Sequence, residues 1–185
     1  MPEANPDRDA DEVGVVGTDE VDGIVADWGR ARPDLNVEPL QVLSRLDRLA
    51  GVLGERRAKI FAAHGLRRHE FDVLAALRRE GVPFELTAGE LSTRTHVTSG
   101  TMTSRLDGLT ERGMVTRAAD RADGRLVRVA LTADGRRVVD AAFEALLEAE
   151  RDLLMPLPSG TLVPLADALR ALLVAASDPS DTMGS

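Results

Sequence analysis

The sequence predicts a mainly helical protein with one small β-ribbon, and three observations point to it. Apolar residues recur at helical spacing over most of the chain. Strict alternation is confined to two short runs around the turn ADRADGR. Immediately before that ribbon, two cap signals stand close together at Thr87 and Thr98.

The elements follow in order. Thr18 ahead of Asp19 and Glu20 is a plausible helix start, since carboxylates are favoured in a first turn. Val21, Ile24, Val25 and Trp28 then make one apolar stripe, and Pro33 ends the helix. A long helix is expected over 38–63, with Leu40, Leu43, Leu46, Leu49, Leu53 and Ile60 on one side and Gly65 behind it. The helix over 67–80 turns Phe71, Leu74 and Leu77 inward and closes at Gly81. Residues 84–86 are a short extended piece. Thr87-x-x-Glu90 is a capping box opening a short helix. Thr98 caps the next helix, which runs to about residue 112 with Met102, Leu106 and Leu109 buried and Gly113 as its stop. The ribbon strands are expected at 114–117 and 126–131. Thr132 caps a long helix with Val138, Ala142, Ala145, Leu146 and Leu153 on its apolar side, broken by Pro156 and Pro158. A last amphipathic helix covers 159–176.

This order is a winged helix-turn-helix, placed at 66–131, between long terminal helices. An extra N-terminal helix and a dimerisation helix occupy 18–65, and C-terminal dimerisation helices occupy 132–176. The acidic residues 1–17 and the end 177–185 have too little apolar content to order themselves. The terminal helices carry more apolar surface than one small domain can cover, so a homodimer is expected. A two-fold dimer would set two reading helices in successive major grooves and read a roughly palindromic operator.

Composition narrows the function. From residue 94 to 128 there are seven Arg against four acids, a net +3 inside a chain of net −8. Residues 1–40 alone carry eleven acids and three Arg, so the acidity sits at one end. A local cationic face on a helix-turn-helix pattern is the footprint of duplex DNA binding. With no Cys, disulfides, zinc–thiolate sites and a thiol redox switch are excluded. No apolar run is long enough to cross a bilayer, and MPEANPDRDADEVG lacks the features of a secretory signal. A cytoplasmic protein without membrane association is therefore expected. The three His (64, 69, 96) have no metal-ligand spacing, and no nucleophile–base set or phosphate loop stands out. Neither catalysis, a cofactor nor a metal is expected.

Residues about 40–176 resemble the multiple antibiotic resistance regulator (MarR) family of dimeric winged-helix transcription factors. The resemblance is carried by ELSTRTHVTSGTMTSRLDGLTERGMVTR, by the wing DRADGRLVRVALTADGR, and by the flanking helices. It implies a DNA-binding regulator, most often a repressor, that a small ligand releases from its operator. The stretch VADWGRARPDLNVEPLQVLSRLDRLAG is similar to the urate-responsive branch of that family, which adds a helix before the usual first one. That finer resemblance implies a ligand pocket at Trp28, Asp72, Arg105 and Arg117, for a small anionic effector such as urate. Many members carry two adjacent Arg after the second Asp of the wing; here Gly124 and Arg125 stand there. Arg121 and Arg125 are thus both candidates for the minor groove.

Each candidate also has a plainer reading. Trp28 is either a core anchor on its stripe or a flat face with an N–H donor for a heteroaromatic ligand. Asp72 is either a solvated helix residue or an acceptor for ring N–H groups. Arg105 and Arg117 are either DNA contacts and surface ion pairs or, with Asp72, a pocket of net +1 that suits a monoanion. Thr98, Ser99, Gly100, Thr101, Thr103 and Ser104 open the reading helix, where small polar side chains approach bases and phosphates closely. Gly100 costs a helix about 1 kcal/mol relative to Ala, which hints at a close approach. Two other functions fit: a regulator of this fold sensing a citrate-like carboxylate or a phenolic compound, and a protein–protein adaptor with no operator.

Overall fold

The computed structural model describes residues 17–120 and 123–177. Arg121, one of the wing candidates, and the expected acidic and C-terminal tails (up to residue 16 and beyond residue 177) lie outside the described residues. The elements are α1 (Glu20–Ala31), α2 (Pro39–Ala63), α3 (Arg68–Arg79), β1 (Glu85–Thr87), α4 (Ala88–Arg94), α5 (Ser99–Glu111), β2 (Val115–Ala119), β3 (Val127–Leu131), α6 (Ala133–Leu154) and α7 (Leu162–Ser177). The order matches the pattern of the sequence, a mainly helical winged helix-turn-helix with an added N-terminal helix.

Helix caps set the boundaries. Thr87 takes up the Glu90 N–H while the Glu90 carboxylate accepts from the Thr87 N–H at 2.7 Å, which starts α4. Thr98 accepts from the Thr101 N–H and starts α5. The cap of α1 is Asp19, not Thr18. Its carboxylate accepts from the N–H groups of Val21 and Asp22, and Asp22 reaches back to the Asp19 N–H at 2.8 Å. The second carboxylate oxygen receives Arg45 of α2 at 2.7 Å, a charge-assisted bond that ties this cap to the next helix. With Val21 fully buried, these ties lay α1 along α2.

The core belongs to the reading head. Leu74 and Leu77 of α3, Leu91 of α4, and Met102, Leu106 and Leu109 of α5 are all buried, and they meet Val115 and Val129 of the sheet. Phe61 at the end of α2 stacks on Phe71 with ring centroids 4.1 Å apart. The sheet has three strands in the order β1-β3-β2, all antiparallel, so the expected two-stranded ribbon gains the short extended piece as a partner. The piece before α4 joins as an outer strand, with Leu86 opposite Val129, a pairing across more than forty residues that leaves no local signal.

Helix α6 crosses the start of β2 at close range. A Cβ on Gly135 would stand 2.1 Å from the Met114 carbonyl oxygen, so only glycine permits the crossing. This approach also turns the inward stripe of α6 to Gly135, Val139, Ala142 and Leu146, with Val138 only partly covered. The sequence reading has Ala142 and Leu146 of this stripe and the flanking Val138, but not Gly135 and Val139. The far helices are different. Helix α2 buries only Phe61, and α7 buries no residue.

Candidate nucleic-acid interface and effector pocket

Helix α5 is held by three buried side chains on one face, which leaves its N-terminal turns to solvent. Thr98, Ser99, Gly100, Thr101, Thr103 and Ser104 are all exposed. Thr98 and Thr101 share a hydroxyl–hydroxyl bond of 3.0 Å, and the Thr103 hydroxyl donates to the Ser99 carbonyl. Nothing lies within 4 Å of a Cβ placed on Gly100. Packing inside the chain therefore gives no reason for a glycine there, and the surface is open to a close external partner.

The seven arginines of the basic segment do not all face outward. Arg94 pairs with Glu80 at 2.6 Å, and Arg128 with Asp120 and Glu85. Arg112 grips the buried Glu70 carboxylate, 3.0 Å from both oxygens, and also donates to the Gly65 carbonyl. Burial would raise the Glu70 pKa, but the Arg67 N–H and the Arg112 guanidinium outweigh that and hold it below the ordinary glutamate value. Arg117 is bound to Asp107 at 2.6 Å and to Thr110 at 3.1 Å. Among the described residues only Arg105 and Arg125 of that segment have no ion pair. The acids Glu70, Glu80 and Glu85 come from outside the segment, so a window charge count overstates its free cations.

The wing is tied at its base. The Asp120 carboxylate is buried, takes up the Asp123 N–H at 2.9 Å and receives Arg128. Asp123 in turn accepts from the Arg125 N–H at 3.0 Å, so the exposed Arg125 side chain springs from an ordered turn.

The four pocket candidates are not drawn into one cavity of the single chain. Trp28 is 50% exposed and lines a shallow concavity with Ile24, Asp27 and Ala31. It is no core anchor within one chain. Asp72 is exposed on α3 and lines a second concavity of about 250 Å³ with Phe71, Ala75, Arg79, Arg94, Thr95 and His96. Arg105 is half-buried beside the inward stripe of α5, and Arg117 sits at the wing base. A cavity of about 500 Å³ lies between α3 and α6 against Phe71, Ala75, Val139 and Phe143, and is also lined by Arg79 and by Arg78, which donates to Asp140 of the same lining at 2.7 Å. No spacing in the sequence announced it. Asp107 and Thr110 were also missed, although three residues on one helix place them on a common face.

Among the described residues no group of three or more His, Cys, Asp or Glu could hold a metal ion, and no helix is long and apolar enough to cross a membrane.

Comparison with known proteins agrees with this geometry. A model of the MarR family matches residues 64–126, the span from the end of α2 to the wing. The HTH-type transcriptional regulator PecS of Dickeya dadantii (strain 3937) is 36% identical over 137 residues, 74% of this chain and 82% of that protein. A MarR family protein from Bacillus stearothermophilus superposes with a TM-score of 0.65 at 26% identity, over 78% of this chain and 99% of that one. The regulator MOSR of M. tuberculosis, solved in complex with DNA, shares the fold with a TM-score of 0.53 at 24% identity, over 73% and 96%. The exposed head of α5, the tied wing and these likenesses have one reading: the chain belongs to the MarR family and is a DNA-binding transcriptional regulator, not an enzyme.

Proposed function

We propose that this protein is a homodimeric repressor that binds a pseudopalindromic operator and leaves it when a small anion such as urate binds. The observation that carries the effector half is Arg105: a half-buried cation on the reading helix whose side chain has no hydrogen bond or ion pair among the described residues. A guanidinium in that setting is short of an anion, and a ligand that engages it acts directly on the element that reads DNA. Trp28, Asp72 and Arg117 complete the proposed pocket, with the half-exposed indole as its flat wall. In the proposed complex the polar start of α5, from Thr98 to Ser104, enters the major groove, and Arg125, together with Arg121, reaches from the wing. Exposed apolar residues on α2 and α7, such as Leu43, Leu173 and Val174, support a dimer built from the terminal helices.

Fluorescence anisotropy on duplex DNA from upstream of the gene, with and without urate, tests both halves. Tight binding that urate weakens is expected, with Arg105→Ala losing most of the urate response and less of the DNA affinity. A coupling of about 1–3 kcal/mol corresponds to a shift of roughly 5- to 150-fold. Equal loss of both properties makes Arg105 a plain DNA contact. Binding that ignores urate favours a second reading, a regulator of the same fold for a carboxylate or phenolic ligand. The largely apolar cavity of about 500 Å³, lined also by Arg79 and by the Arg78–Asp140 pair, supports that reading.

A further inference from the structure

The reading helix and the wing are separate elements, and their relative position decides whether both reach one DNA duplex. Core packing joins them from below through Leu109 and Val115. On the outer side Arg117 joins them. From β2 its Nη2 donates to Asp107 at 2.6 Å and its Nε to the Thr110 hydroxyl at 3.1 Å, both on α5. The Thr110 hydroxyl is itself fixed, because it donates to the Leu106 carbonyl at 2.7 Å. The guanidinium is thus engaged on two sides, with its side chain 24% exposed, whereas Asp107 is 58% exposed.

We infer that Asp107 and Thr110 are positioning residues that hold the wing to the reading helix through Arg117. Among the described residues the side chain of Asp107 bonds and pairs with Arg117 alone, and it places a negative charge on the reading helix, which by itself opposes DNA binding. Arg117 points into the chain toward these partners, so its charge acts on geometry. An anion that takes Arg117 has to displace Asp107, a consequence that rests on the effector reading above.

The test is a double-mutant cycle in the full-length protein, read by anisotropy on the same upstream duplex at several salt concentrations. Asp107→Asn weakens DNA binding about two- to fivefold, as loss of an exposed pair does. Arg117→Gln weakens it at least as much, and the double variant weakens it no further. Thr110→Val gives a smaller loss that vanishes in the Arg117→Gln background. The slope of log affinity against log salt stays unchanged in all of them. Circular dichroism melts run alongside separate these losses from unfolding. Tighter binding by Asp107→Asn, additive losses in the double variant, or a slope reduced by about one in Arg117→Gln overturns the inference. The last result makes Arg117 a phosphate contact. With urate as the probe, Asp107→Asn leaves DNA at lower urate than the wild type. A wild type blind to urate sinks the effector reading, while the cycle still decides the role of Asp107.

Discussion

The reading head and the terminal helices treat the same kind of residue in opposite ways. In the head, Leu74, Leu77, Leu91, Leu106 and Leu109 are buried to within 2%. On the terminal helices, Leu43, Val42, Leu173 and Val174 are 53–69% exposed. Composition does not distinguish the two sets. The head closes on itself because α3, α4, α5 and the sheet surround one centre, while α2 and α7 are long cylinders with a second apolar side. The difference teaches that the head closes its own core, whereas the terminal helices keep apolar surface that the other described residues do not cover, as the proposed dimer requires.

The comparison breaks most visibly where that surface is charged. Leu173→Glu with Val174→Glu is expected to halve the sedimenting mass. It should also weaken operator binding about a hundredfold, the avidity lost when two heads act separately. Unchanged mass with intact binding would make the α7 face a solvent face. Next in size, Gly135→Ala forces a Cβ against the Met114 carbonyl, and overpacking of this kind costs about 1–3 kcal/mol, read by urea denaturation. A smaller effect is expected at Glu70, whose carboxylate joins the α2–α3 corner to the end of α5. Its folded pKa lies below the unfolded one, so its contribution is fully present above the unfolded value and fades as pH falls through the folded one. Glu70→Gln should therefore cost about 1–2 kcal/mol near neutral pH and progressively less as the pH is lowered, compared by urea melts. The least change is expected at α1. Hydrogen bonds from Arg45 and from the backbone hold the Asp19 and Asp22 carboxyls low, and both side chains remain partly open to solvent. Arg45→Gln should loosen α1 slightly in low salt and not at all in high salt. The single Trp, Trp28 on α1, reports this in its emission.

Much of this architecture is legible in the chain because it is written locally. Thr87, Thr98 and Thr132 each start a helix, Gly81 and Gly113 each follow one with positive φ, and Met102, Leu106 and Leu109 name the buried face of α5. Even the exposed start of the reading helix follows from that periodicity, since what is not inward at 102, 106 and 109 must face out. The cap of α1 falls one residue later than read, on Asp19, because the carboxylate of Asp19 takes the Val21 and Asp22 N–H groups while Asp22 reaches back to the Asp19 N–H.

Sequence alone therefore determined the element order, the reading helix with its polar face, and membership of a family recognisable by motif, all of them properties carried by neighbours a few positions apart. Tertiary structure decided the rest. It joined β1 to β3, brought Gly135 of α6 against the start of β2 and buried Val139, and assigned Arg94, Arg112, Arg117 and Arg128 to acids that leave only Arg105 and Arg125 unpaired among the described residues of that segment. The physical reason is range. Caps and periodicity act within a turn or two, whereas an ion pair or a strand pairing is settled by which distant backbones the core has already brought together.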